Sequence, residues 1–179
     1  MKRFLWSFFE IVQTVIIAVV AVFLVRTFVA QPFLVSGASM EPTFHNGNYL
    51  LIDELAYRFR VPERGEVIVF KYPGDHKSYF IKRIIGLPGE RVVIEDGAVS
   101  VYGAGETKVL AENYLPPGAA SGRAEVTLEG DQYFVMGDNR SFSYDSRNWG
   151  PLKRDEIVGL VRFRLWPVNE VMAFTPPTY

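Results

Sequence analysis

The chain has 179 residues, with 19 Lys and Arg against 20 Asp and Glu and a net charge of −1, enough for one or two small domains with a real core and too balanced for a nucleic-acid partner. It has no cysteine and two histidines, His45 and His76. That removes disulfides, thiol catalysis and thiolate metal sites, and it argues against a multi-histidine metal centre.

The first predicted element is a membrane helix. Apolar residues make up 49% of the chain, with the excess before residue 35. Residues 4–25 are apolar apart from Glu10, Gln13 and a few small polar side chains. As a helix they span about 33 Å, against a hydrocarbon core of about 30 Å. Lys2 and Arg3 precede the run, Trp6 suits an interface, and Arg26 can extend to the far headgroups. Two other readings stand beside the anchor. A cleaved signal peptide fits the basic start, but "TFVAQPF" lacks a clear small-x-small site, and Ser36-Gly37-Ala38 is a weaker one. A buried core helix would have to be apolar on every face, which a domain this small rarely accommodates. An uncleaved signal anchor is favoured. Lys2 and Arg3 outweigh Arg26, so the N-terminus is expected in the cytoplasm and residues beyond about 30 outside.

After Pro32 the helical period vanishes. "VIVFKY" (67–72), "SYFIKRIIG" (78–86), "RVVIEDGAVSVYG" (91–103), "AEVTL" (124–128), "YFVMG" (133–137) and "IVGLVRFRLWP" (157–167) read as strands. Asp96-Gly97 is a hairpin signal, and "LPPGAASGR" (115–123) is a loop. No helix separates the strands as a parallel fold requires. The expected fold is therefore mainly β: an antiparallel-sheet domain behind a single N-terminal transmembrane helix. The boundaries are 1–30 for the cytoplasmic tip and anchor and 31–179 for an extracytoplasmic β-rich domain, with a small accessory segment at about 91–133.

Three stretches carry residues able to do chemistry. In "SGASMEPT" (36–43), Ser39 lies among small residues that let backbone and substrate come close, and Pro42 fixes the chain after it. A loop serine is ordinarily inert, and a nucleophilic one needs a base. His45 and His76 both lie in turns, without an evident orienting carboxylate. Lys82, in "FIKRIIGLPGE", is the other base. Alternation places Phe80, Lys82 and Ile84 on one strand face and Ile81, Arg83 and Ile85 on the other. Both cations either reach solvent or are desolvated, and burial would lower a lysine from about 10.4 toward neutrality. In "MGDNRSFSYDSRNWG" (136–150), composition alone gives a turn, a structural Asp145–Arg147 ion pair and an ordinary hydroxyl at Ser143.

Taken in order, these stretches resemble the bacterial type I signal peptidases. "SGASMEPT", "RGEVIVF" (64–70), "KRIIGLPGE" (82–90) and "GDNRSFSYDSR" (137–147) are similar to four ordered boxes of that family, behind an anchor. The resemblance implies a serine–lysine dyad, with Ser39 as nucleophile, Lys82 as general base, Ser143 orienting the lysine, and Asp145 and Arg147 as a supporting ion pair. It implies a membrane-bound endopeptidase that needs no cofactor or metal. The substrates would be exported preproteins, cut after a small residue with another small residue two positions earlier. The lipid bilayer and, by proximity, the secretion machinery would be its surroundings. One departure is Gly37, where some members carry a serine that assists the oxyanion hole; one such donor is worth about 10²–10³ in turnover. Met40, Phe80 and Ile81 are expected to wall the substrate pockets. Phe33, Leu34 and Phe44 either meet the membrane surface or pack in the core. The alternatives are a cytosolic self-cleaving repressor-type protease, which the anchor disfavours, and a non-catalytic membrane-anchored β-domain that binds an exported partner.

Overall fold

Nothing from Lys2 to Phe28 breaks a helix, since the stretch has neither Gly nor Pro. In the computed structural model, which describes residues 2–28, 30–103, 105–119, 122–177 and 179, it forms a single helix, α1 (Lys2–Phe28). Its 27 residues span about 40 Å. The window Trp6–Phe23 has a mean hydropathy of 2.1 and none of it is buried, so α1 is not a core helix. It is long and apolar enough to cross a membrane. The side chains of Lys2, Arg3 and Arg26, on which the expected orientation rests, lie outside the described residues, as do Ala120 and Ser121 of the 115–123 loop.

The chain then enters β1 (Ala30–Leu34), β2 (Tyr49–Asp53), a short helix α2 (Ala56–Phe59), β3 (Val67–Lys71) and β4 (Tyr79–Gly86). β5 (Arg91–Glu95), β6 (Ala98–Gly103), β7 (Glu106–Val109) and β8 (Ala124–Thr127) follow. Next come β9 (Gln132–Met136), the short helix α3 (Ser146–Trp149), β10 (Leu152–Lys153), β11 (Ile157–Trp166) and β12 (Met172–Ala173). Two antiparallel sheets result. The larger runs β1-β2-β11-β3-β4-β9-β10, with β12 also on β11; the smaller runs β7-β6-β5-β8. The architecture is mainly antiparallel β behind one N-terminal apolar helix. The strands expected from residue pattern are β3 to β6, β8, β9 and β11. β1, β2, β7, β10 and β12 were not expected; β10 and β12 are two residues each, and β1 contains Pro32. That proline is accommodated because β1 lies at the sheet edge, where a missing N–H goes unnoticed. The β5–β6 hairpin turns on Asp96 and Gly97, both at positive φ (49° and 82°), the backbone a two-residue hairpin requires.

Three buried clusters hold this together. Ile68, Phe70, Ile84 and Val135 pack with Tyr57 and Leu152 on one face of the large sheet. Ile85, Phe134 and Met136 join it to the small sheet through Val92, Ile94 and Val101. Val35, Met40, Phe44, Leu50, Ile52 and Val69 lie beneath the loop between β1 and β2, the loop that carries Ser39.

Candidate active site

That loop is closed at its base by Val35 N–H donating to Asn48 O and Gly47 N–H donating to Val35 O, both 2.9 Å. Its apolar residues point down into the cluster and its small ones stay at the surface. Gly37 takes a φ of +99°, a region L side chains rarely adopt, and its N–H donates to Asn46 Oδ1 at 3.0 Å. Ser39 N–H donates to no acceptor among the described residues. The turn after β9 lies flush against the same loop. Asn139 N–H donates to Ser39 O (3.0 Å) and Asn139 Nδ2 to Ala38 O (3.1 Å). A Cβ on Gly137 would sit 2.3 Å from both Ser39 O and Ser143 Oγ, so only glycine fits between them.

β4 approaches from the other side. Lys82 is 4% exposed, and its Nζ lies 2.8 Å from Ser39 Oγ and 2.7 Å from Ile81 O. Burial lowers its pKa to about 8, opposed by the negative charge of Asp145 and Asp138 and aided by the positive charge of Arg147. At that value a substantial fraction of the amine is neutral near physiological pH. A neutral amine accepts a proton from the Ser39 hydroxyl while one N–H stays on the Ile81 carbonyl, which fixes its lone pair toward Oγ.

Asp145 is fully buried and caps α3. Its carboxylate takes two bonds from Arg147, Nε to Oδ1 and Nη2 to Oδ2, both 2.8 Å, and one from Gly137 N–H at 3.0 Å. Burial pushes this carboxyl up, but the Arg147 guanidinium, the nearby Ser143 hydroxyl and the Gly137 N–H together hold it below the usual carboxylate range. The expected bond from Ser143 to Lys82 is not made. Ser143 Oγ is buried with no partner meeting hydrogen-bond geometry and faces Gly137, while Lys82 Nζ makes its contacts to Ser39 and Ile81.

Arg83, one residue along β4, points to the opposite face, as alternation requires. There it grips Asp138 through Nε–Oδ1 (2.8 Å) and Nη2–Oδ2 (2.6 Å) and donates to Gly65 O at 2.8 Å. Asp138 also accepts from Thr43 Oγ1 at 2.5 Å. The pair thus clamps β4 to the Ser39 loop. Sequence reading left Arg83 without a partner and Asp138 as a turn residue. The only signal was that β4 carries two adjacent cations, of which just one can face the cleft.

Phe80 and Ile81 do line the cleft that opens at Ser39 and Lys82, a hollow of about 490 Å³ whose walls also include Phe33, Val35, Leu50 and Tyr79. Met40 does not. It is 1% exposed and packs with Val35, Phe44 and Leu50 beneath the loop, because the turn after Ser39 sends the next side chain inward. Phe44 is likewise core, 4.4 Å from the ring of Phe174, while Leu34 is exposed. Both histidines prove to have a carboxylate neighbour, His45 with Glu41 at 3.5 Å and His76 with Glu156 at 2.7 Å. Neither lines the cleft. Among the described residues, no group of three or more His, Asp or Glu is placed to hold a metal ion.

Residues 8–166 match the family described as signal peptidase, peptidase S26. The chain belongs to that family. Its relatives in the signal peptidase family include the probable signal peptidase I-2 of Synechocystis sp. (strain ATCC 27184 / PCC 6803 / Kazusa), 41% identical over 175 residues, which cover 94% of this chain and 78% of the relative. Signal peptidase I of Leptolyngbya laminosa is 38% identical over 178 residues (94% and 84%). Signal peptidase I of Bacillus licheniformis is 37% identical over 177 residues (92% and 92%). Membership of the signal peptidase family makes the protein a peptide-bond hydrolase, and signal-peptide removal is the activity the family's name states.

Proposed function

We propose that this protein is a membrane-anchored serine endopeptidase that removes signal peptides from exported preproteins through a Ser39/Lys82 dyad. The observation that carries the reading is the 2.8 Å approach of a buried Lys82 Nζ to Ser39 Oγ at the mouth of an apolar cleft. Neutral Lys82 takes the hydroxyl proton as Oγ bonds to the scissile carbonyl carbon. The Ser39 N–H, without a protein acceptor, stabilises the oxyanion that forms. The Gly37 N–H is engaged by Asn46, so it contributes through the shape of the turn. The C–N bond then breaks and the new amine leaves with the proton from Lys82. Water attacks the ester, Lys82 takes its proton, and Oγ recovers a proton as the carboxylate product departs. Asp145 and Arg147 support the Gly137 turn behind Ser39. Ser143, whose Oγ lies against the Gly137 turn, orients the lysine once its hydroxyl turns toward the amine.

The cut falls after small residues, with Phe80 and Ile81 lining the cleft beside the dyad and excluding larger side chains by steric cost. α1 anchors the chain with its N-terminus in the cytoplasm, and residues beyond about 30 face the outer side. There the domain meets the bilayer surface and preproteins delivered by the secretion machinery. The test is to incubate the detergent-solubilised full chain with a preprotein and read the new N-terminus by mass spectrometry. A single cut after a small residue, lost in Ser39→Ala and in Lys82→Met, is expected. Cleavage that survives either substitution overturns the reading.

A further inference from the structure

Residues 174–177 and Tyr179 lie beneath the Ser39 loop and against the small sheet, and the mechanism uses none of them. Phe174 N–H donates to Arg162 O at 2.9 Å, and its ring packs on buried Phe44. Arg164 lies 5.7 Å over the Phe174 ring and donates from Nη1 to Thr43 O at 3.2 Å. Further on, Pro177 and Tyr179 lie so close over Gly65 that a Cβ there would meet each at 2.9 Å. The Tyr179 ring meets Tyr114 edge-on at 6.3 Å, and the two hydroxyls lie 3.2 Å apart. Tyr114 in turn holds the Arg83 guanidinium 4.1 Å over its ring.

These contacts close a circuit. One end reaches the Ser39 loop through Phe174, Phe44 and Thr43. The other reaches it through Tyr179, Tyr114, Arg83 and Asp138, the last lying in the turn that grips Ser39 O. Arg83 is also the neighbour of Lys82 on β4. A shift of this segment therefore moves the strand that carries one partner of the dyad relative to the loop that carries the other.

We propose that residues 174–177 with Tyr179 are a strap and that Tyr179 is its positioning residue, fixing the Ser39 loop against β4 through Tyr114 and Arg83. The proposal rests on the Ser39/Lys82 reading, and the test separates the two. In the full chain in detergent, with kcat and KM measured separately on a preprotein, Tyr179→Ala lowers kcat about tenfold and leaves KM within about twofold, the signature of misaligned reacting groups. Tyr179→Phe keeps the ring and retains kcat within about twofold. Tyr179→Leu keeps apolar bulk without the aromatic edge. It lowers kcat as Ala does while the melting temperature holds, which gives a readable variant if Ala unfolds the domain. A kcat unchanged in Tyr179→Leu, a loss confined to KM, or an equal loss in Tyr179→Phe overturns the strap. Ser39→Ala and Lys82→Met in the same assay report on the dyad alone: activity surviving either sinks that reading whatever residue 179 does.

Discussion

Gly137→Ala tests the site's geometry most directly. The backbone at Gly137 is not at positive φ, so alanine meets no conformational penalty there and the effect is purely steric. Its Cβ would lie 2.3 Å from Ser39 O, a backbone atom, and from Ser143 Oγ. The hydroxyl can rotate away, but the Ser143 Cβ, 2.6 Å off, and the Ser39 carbonyl move only with their loops. Ordinary contact begins near 3.4 Å, so the Ser39 loop has to retreat from the Gly137 turn by about 1 Å. The retreat stretches the Asn139–Ser39 bond and pulls Oγ from Nζ. A displacement of that size costs about 10²-fold in turnover, and overpacking of this kind costs about 1–3 kcal/mol of stability, a melting-temperature fall of about 2–12 °C for a chain of this length. The assay is kcat on a preprotein, beside far-ultraviolet circular dichroism and a thermal melt. A folded Gly137→Ala variant with kcat within about threefold of the unmodified protein refutes the argument that the turn sets the position of Ser39.

Three further outcomes are expected. Cleavage rises with pH along a limb centred near pH 8, as Lys82 loses its proton; a limb near the imidazole value of about 6.5 that moves when His45 is replaced contradicts this. Lys82→Met is inactive yet more resistant to urea at pH 7. The folded pKa lies below the unfolded 10.5, so the stability lost to burying the amine is full below about pH 8 and vanishes as pH rises through 10.5. It amounts to as much as about 3 kcal/mol, and a urea midpoint lower than the unmodified protein's at pH 7 refutes it. Arg83→Leu costs about 3–5 kcal/mol, because it strands a buried Asp138. Arg83→Leu with Asp138→Leu recovers much of this in a denaturant titration, and strict additivity refutes the coupling.

Much of this architecture was legible because its signals are local. Apolar runs of Val, Ile and Phe mark β3, β4 and β9, and Asp96-Gly97 marks its hairpin. The approach of Lys82 to Ser39 was legible only by resemblance, since nothing within forty residues of Ser39 in the sequence announces that neighbour. What escaped was set by tertiary placement. Asp138 looks like any turn aspartate until a strand 55 positions away brings Arg83 to it. Met40 adjoins Ser39 along the chain but turns into the core, because adjacency carries no information about direction where the backbone turns. The carboxylate neighbour of His76 arrives from Glu156, beyond the reach of any local pattern.

The alternation of β4 ties chemistry to framework in one reading frame. Lys82 serves the cleft, and Arg83, on the reverse face, bolts the strand down. A deletion of one residue between Tyr79 and Lys82 would bring Arg83 to the position of Lys82 and Ile84 to that of Arg83, setting beside Ser39 a guanidinium that never sheds its proton and leaving buried Asp138 opposite an apolar side chain. A residue gained or lost within β4 thus undoes both sides of the strand at once, whereas one added between Tyr72 and Ser78 leaves the reading frame of Lys82 and Arg83 untouched.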